Sequence, residues 1–357
     1  MLPWLETRGV TVVRARGAVA GARRVQVGDD VLVARRAVVL ATGSDPFLPP
    51  VPGLAEARPW TNRQGTTASA APVRLAVVGG GPVAVELALA WAGLGSRVTL
   101  LERGNRLLAR EEPFAGEQVR EGLVRAGVDV RLGVEAAAVS RNGNVRVELA
   151  GGGGVVEADE VLVATGRRPR TEGIGLESVG IDGGGYLEVD ESLRVPGHGW
   201  LFAVGDVNGR ALLTHMGKYQ ARLAADAILG EDVRLRSDGG RSPRVVFSDP
   251  QVGAVGHTLA SAEEAGLRVR AVDVDTGGNA GGSFVGKDAV GTSRLVVDED
   301  ARVVAGATFT GPEIAEALHA ATIAVVARVP LDDLWHAVPA FPTRSEAWLR
   351  LLETYGL

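Results

Sequence analysis

Apolar residues along this chain fall into recurring textures, and each texture predicts a kind of element. Short unbroken apolar runs that end in glycine, such as Leu75-Ala-Val-Val-Gly79, suit strands buried on both faces of a sheet. The apolar stretch from about Pro82 to Leu94 follows as a helix, and Arg97-Val-Thr-Leu-Leu101 as a second strand. Phe114 to Arg125 then predicts a second helix and Val128 to Leu132 a third strand. A glycine-punctuated meander, Val134 to Val156, precedes a closing strand at Val161 to Thr165. Upstream, Val10 to Leu40 reads as short strands with turn breaks at Gly17, Gly21 and Gly28-Asp29, and the small, polar Gln64 to Pro72 as a linker. Trp200 to Gly205 predicts a strand running into Asp206, and Thr214 to Leu229 a helix. Beyond a polar boundary at Arg236 to Ser242, strands are expected at Arg244 to Phe247, Gly253 to Gly256, Val269 to Val274, Thr292 to Val297 and Val303 to Thr308. They alternate with helices at Ser261 to Ala265, Pro312 to Arg328 and Ser345 to Thr354, which predicts an α+β domain with an antiparallel sheet.

One phrase occurs twice. Val39-Leu40-Ala41-Thr42-Gly43 and Val163-Ala164-Thr165-Gly166 both run an apolar strand into Thr-Gly, where glycine lets the backbone pass close to a nucleotide. Between them lies one complete strand, glycine turn and helix. Gly79, Gly81 and Ala84 fill the three small positions of a G-x-G-x-x-G/A fingerprint: Gly79 for the tight turn, Gly81 for approach of a pyrophosphate, Ala84 for close packing of helix on strand. The free N–H groups and positive dipole end of the helix from Pro82 suit phosphates. About twenty residues past the glycines, Glu102 ends the second strand, where a carboxylate accepts from both ribose hydroxyls of an adenosine. That favours NADH over NADPH, although Arg103 and Arg106 stand nearby. Two closing phrases with one opening fingerprint predict two interleaved dinucleotide units, the first lacking its N-terminal part.

Composition narrows the function classes. The 357 residues are 46% hydrophobic, enough for two or three modest cores, and the net charge of −5 spreads arginines among acids, with no basic stripe for nucleic acid. No uncharged apolar run is long enough to span a membrane and the N-terminus does not read as a signal peptide, so a cytoplasmic protein without a membrane partner is expected. There is no cysteine, which excludes any disulphide, thiolate metal site or redox dithiol supplied by this polypeptide. His198, His257, His319 and His336 show no ligand spacing, so no metal is expected.

The order of these motifs resembles the pyridine nucleotide-disulphide oxidoreductases, flavoproteins that include dihydrolipoamide dehydrogenase, glutathione reductase and mercuric reductase. It is carried by Ala-Thr-Gly43, the unit Gly79 to Glu102, Ala-Thr-Gly166-Arg-Arg-Pro169, Gly205-Asp206, Asp249-Pro250-Gln251-Val252-Gly253 and Phe341-Pro342-Thr343-Arg344-Ser345-Glu346. The resemblance implies a Rossmann-type NAD-binding domain (73–166) inserted in an incomplete FAD-binding domain (1–72 and 167–236), followed by a C-terminal α+β dimerisation domain (240–357) and a homodimer. It implies FAD contacts at Thr42, Gly43, Asp206, Leu213, Thr214 and His215. For NAD it implies Gly79, Gly81, Ala84, Glu86, Glu102 and Gly166.

Three departures redirect the expected chemistry. The family's opening glycine loop is not found, and neither are the cysteine pair that follows it and the lysine that pairs with the glutamate matching Glu86. The position of the catalytic histidine is Phe341, although the family's glutamate remains as Glu346. An imidazole shuttles a proton to a thiolate near neutral pH and a phenyl ring does not. Glu346 is therefore the sole candidate catalytic group, and it equally suits the first turn of a helix, where negative charge is favoured. Without cysteines or histidine, a small-molecule acceptor would meet the flavin directly, and quinones, dyes or oxygen suit that better than a disulphide. The expectation is an FAD-dependent NAD(P)H oxidoreductase with a non-disulphide acceptor. The alternative is a catalytically silent NAD-binding dimerisation or regulatory module without FAD.

Overall fold

The computed structural model describes residues 2–286 and 291–357. The chain divides into two compact units, one of residues 1–45 with 168–235 and one of 46–167 with 236–357.

The larger unit holds a four-stranded parallel sheet in the order Glu160–Val163, Arg74–Val78, Arg97–Glu102, Asp129–Leu132. The unbroken apolar runs have the reason anticipated for them. Leu75 and Val77 point into one core with Ala84, Val85, Ala88 and Leu100, while Ala76 between them points into another with Leu101, Val139 and Val147. Helices Pro82–Gly93 and Pro113–Arg125 cover the first face. A three-stranded antiparallel meander covers the second, its middle strand Asn144–Leu149 burying Val145, Val147 and Leu149 in strict alternation.

In the same unit, a five-stranded antiparallel sheet runs in the order Arg244–Val246, Gln251–Gly256, Val303–Gly311, Thr292–Asp298, Val269–Asp275. Leu318–Ala327, Leu331–His336 and Glu346–Tyr355 bury Leu318, Leu331 and Leu351 against Leu295 and Phe309.

The smaller unit pairs Val38–Leu40 in parallel with Leu201–Ala203, beside a three-stranded antiparallel meander (Gly17–Val19, Arg24–Val27, Asp30–Val33) and the helix Thr214–Leu229. Its core gathers Leu193, Leu201, Phe202, Ala203 and Ala224.

Several sequence expectations are corrected. Gln64 to Pro72 is not simply a linker, because Asn62–Thr67 is a helix opened by a capping box: the Thr61 hydroxyl accepts from the Arg63 N–H, and the Gln64 side chain accepts from the Thr61 N–H. Gly17 begins a strand and does not break one, and residues 10–16 form no strand. The helix expected from Pro312 to Arg328 starts as a 3-10 turn, Ile314–Ala317, and becomes α-helical only over Leu318–Ala327. The short helices Ala280–Ser283 and Leu331–His336 were not anticipated.

Candidate nucleotide-binding sites

The first site is the turn between Arg74–Val78 and Pro82–Gly93. Gly79 has φ +120°, and a Cβ there would lie 2.4 Å from the Ala164 carbonyl oxygen, so the repeated Val163-Ala164-Thr165-Gly166 phrase forms the wall against which the turn is packed. Only glycine satisfies both constraints. At Gly81, the N-cap of the helix, a Cβ would meet nothing within 4 Å, which leaves the helix N-terminus open to a ligand. Pro82 takes the next position without losing a hydrogen bond, and Ala84 is fully buried under the sheet. Glu102 closes the edge of the turn. Its Oε1 accepts from the Gly104 N–H at 2.6 Å, and its Oε2 lies 2.7 Å from where a Cβ of Gly80 would be. A carboxylate beside an open glycine turn can accept from ribose hydroxyls while the helix end receives a pyrophosphate. Gly166 follows the closing strand with open space around it.

Glu86 lies two residues beyond Ala84 in the same helix. Its Oε1 accepts from the backbone N–H of Phe247 at 2.9 Å, an interaction with the C-terminal part of the same unit that the sequence did not signal.

The second cluster lies in the smaller unit, at the C-terminal ends of the parallel pair Val38–Leu40 and Leu201–Ala203. Thr42 donates its hydroxyl to the Arg170 carbonyl at 2.8 Å, and Gly43 has φ +74° with open space at its Cβ position. Ser44, next in sequence, donates its hydroxyl to Asp206. This bond joins the Thr-Gly phrase to the Gly-Asp phrase. Asp206 sits on a 3-10 turn, Gly205–Asn208, that is clamped from below: Gln220 Oε1 accepts from the Gly205 N–H at 2.7 Å and from Asn208 Nδ2 at 2.9 Å. Helix Thr214–Leu229 reaches this turn through Gly217, whose absent Cβ would lie 3.3 Å from the Gly205 Cα. Leu213 is the helix N-cap, and Thr214 and His215 are exposed in its first turn. Ser44, Gly217 and Gln220 escaped the sequence reading, because no motif marks them and the partner of Ser44 is distant in sequence.

Glu346 is buried in the first turn of its helix, where its Oε2 accepts from the Gly281 N–H at 3.2 Å. Phe341 is 77% exposed, whereas Trp348 packs against Phe309 with ring centroids 6.1 Å apart. Among the described residues no cluster of three or more His, Asp or Glu is placed to hold a metal ion, and no helix is long and apolar enough to cross a membrane.

A parallel sheet with an open glycine turn and terminal carboxylate, followed by an antiparallel α+β domain, is the architecture of a dinucleotide-binding protein. Residues 4–226 match the pyridine nucleotide-disulphide oxidoreductase family and residues 242–352 its dimerisation domain. The chain belongs to the pyridine nucleotide-disulphide oxidoreductase family, whose members are FAD- and NAD(P)-dependent. It is 34% identical over 354 residues to a glutathione reductase of Burkholderia cepacia, covering 97% of this chain and 76% of that protein. It is 33% identical over 355 residues to a mercuric reductase of Acidithiobacillus ferrooxidans, of which it spans 63%. Among solved structures, LpdA from Mycobacterium tuberculosis superposes with a TM-score of 0.87 at 26% identity, over 100% of this chain and 80% of that one.

Proposed function

We propose that this chain works as an NADH-dependent flavoprotein oxidoreductase whose electrons go to a non-disulphide acceptor such as a quinone or dye. In this reading 73–166 binds NAD, 1–72 with 167–236 contributes to FAD binding, and 240–357 mediates dimerisation. The observation that carries it is the open turn at Gly79 and Gly81 with the Glu102 carboxylate beside it. The turn fits a dinucleotide: among the described residues nothing lies within 4 Å of the Cβ position of Gly81 at the helix N-terminus, which leaves room for a pyrophosphate, and Glu102 is placed to accept from the ribose. A 2′-phosphate would meet the charge of Glu102, which supports NADH over NADPH.

FAD fits the residues of the smaller unit. Gly43 leaves open space, Asp206 is held by Ser44 on a clamped turn where it can accept from ribityl hydroxyls, and the first turn of Thr214–Leu229 offers backbone N–H groups. When bound, FAD would supply the two-electron carrier between NADH and the acceptor. The chain itself supplies no cysteine, and Phe341 offers neither a proton nor an acceptor lone pair, which supports a flat, non-thiol acceptor against an apolar wall. Glu346, committed to the Gly281 N–H, is read as a positioning group in this scheme.

NADH titration and dye-reduction assays test the reading. NADH is expected to bind more tightly than NADPH, and Glu102→Ala to weaken NADH by about tenfold or more, the loss of charge-assisted hydrogen bonds. Equal affinity for the two nucleotides would defeat the NADH assignment. FAD-loaded protein should reduce quinones or dyes while turning over lipoamide or glutathione disulphide negligibly. A protein that binds NADH but takes up no FAD would be the silent module instead.

A further inference from the structure

Between Glu102 and the helix Pro113–Arg125 the chain makes a tight excursion that touches the glycine turn and the C-terminal sheet in succession. The Leu108 N–H donates to the Gly80 carbonyl at 2.9 Å, and Leu107 and Leu108 are buried. Gly116 lies so close beneath Leu107 that a Cβ would be 2.3 Å from its carbonyl oxygen. Four residues on from Leu108, Glu112 is only 2% exposed, yet as N-cap it makes no capping bond to its own helix. Its carboxylate is spent elsewhere, accepting from the Leu259 N–H at 2.7 Å and from Arg294 Nη1 at 2.9 Å. Arg294 is held in turn by Asp273 at 2.6 Å and lies over the ring of Phe114. Beside it the buried Glu111 accepts from Arg244 Nε at 2.6 Å.

Buried carboxylates are costly unless paired, so two adjacent ones, each met by an arginine of the antiparallel sheet, fix this excursion in one place. Through the Leu108 bond that place is also the place of Gly80. We propose that Arg294 and Arg244 are positioning residues for the nucleotide site: they act through Glu112, Glu111 and Leu108 to hold the glycine turn in its open, binding-competent form. Neither arginine touches the glycine turn itself in this scheme. The proposal rests on the nucleotide-binding reading of the turn, and it makes the C-terminal domain part of the affinity for NADH.

The test uses the 357-residue chain and two readouts. Hydrogen exchange without nucleotide follows the Leu108 amide directly, and titration with NADH follows the site. Arg294→Ala should speed exchange at Leu108 by about tenfold and weaken NADH by a similar factor, towards the lower end of the range for energetic coupling between sites. Arg294→Lys should recover part of both. Arg302→Ala, which removes an exposed pair with Asp332 in the same domain, should change neither. If Arg294→Ala fails to fold, Glu112→Gln keeps the side-chain shape while removing the charge, and should show both effects in weaker form. A folded Arg294→Ala or Glu112→Gln protein with wild-type exchange at Leu108 overturns the proposal, as does faster exchange with unchanged NADH affinity. If the unmutated chain binds no NADH, the nucleotide reading fails instead, and the Leu108 exchange still decides whether the arginines hold the turn.

Discussion

At the scale of single residues, the two glycines of the fingerprint do different work, and substitution should separate them. Gly79→Ala forces a methyl group into the Ala164 carbonyl at a backbone conformation that side chains rarely adopt, and should cost about 3 kcal/mol or more of stability. Gly81→Ala meets nothing and sits at φ −81°, so folding should lose under about 1 kcal/mol, the difference between glycine and alanine at an N-cap. NADH affinity should nevertheless drop at least tenfold, because the added methyl group occupies the approach to the helix end. Denaturation midpoints and NADH titration on the two variants check this. A Gly81→Ala protein that binds NADH normally would contradict the assigned approach. These positions were legible because their constraint is local, a strand, a turn and a helix within a few residues. Ser44, the Glu86 bond to Phe247 and the Glu346 bond to Gly281 were not, since each depends on a partner at least 65 residues away.

At the scale of elements, periodicity sufficed where burial is one-sided or complete, and failed where caps decide. Thr214–Leu229 stands where its pattern placed it, and the five antiparallel strands of the C-terminal sheet lie within a few residues of expectation. Asn62–Thr67 hid because six polar and small residues carry no amphipathic signal. The Thr61 to Gln64 spacing was the clue, and the helix matters because the Gly65 carbonyl accepts from the Trp91 indole in the core. The turn bearing Asp206 depends on one buried amide. Gln220→Leu would strand the Gly205 N–H and leave Asn208 Nδ2 with only the Ala203 carbonyl of its two acceptors, and should cost about 1–3 kcal/mol in chemical denaturation and lower FAD uptake. In the larger unit, where the chain enters the strand Glu160–Val163, Asp159 accepts from the Arg74 side chain and backbone N–H, which hold its carboxyl below the ordinary carboxylate range. A depressed folded value means stability that is present above the unfolded value and is lost as pH falls through the folded one. Asp159→Asn should accordingly lower stability at neutral pH and flatten the acid side of the curve, so that its deficit against the unmutated protein closes as pH falls, which denaturation at a series of pH values from neutral to about 3 would reveal.

At the scale of the whole molecule, the C-terminal domain presents Phe341, Val338, Phe284 and Trp335 at its surface, an unusual load of exposed apolar side chains. Large aromatics are typical interface anchors, and the match of residues 242–352 to a dimerisation domain supports a two-fold homodimer. Light scattering at micromolar concentration should give twice the chain mass, and Phe341→Asp should shift the population toward monomer. A wild-type monomer would show that the family's assembly does not extend to this chain. Trp348, by contrast, is half-buried and packs against Phe309.

The Ser44 to Asp206 bond spans 162 positions, and the unit it belongs to is assembled from residues 1–45 and 168–235. On the ribosome, the first of these stretches therefore emerges without its partner and waits while the intervening 46–167 is made. That intervening stretch contains a whole parallel sheet with its helices, which has local contacts enough to begin folding at once. The strand Val38–Leu40 meanwhile lacks its partner Leu201–Ala203 until about 160 further residues have been synthesised, so the order of translation leaves that edge open to wrong pairing in the interval.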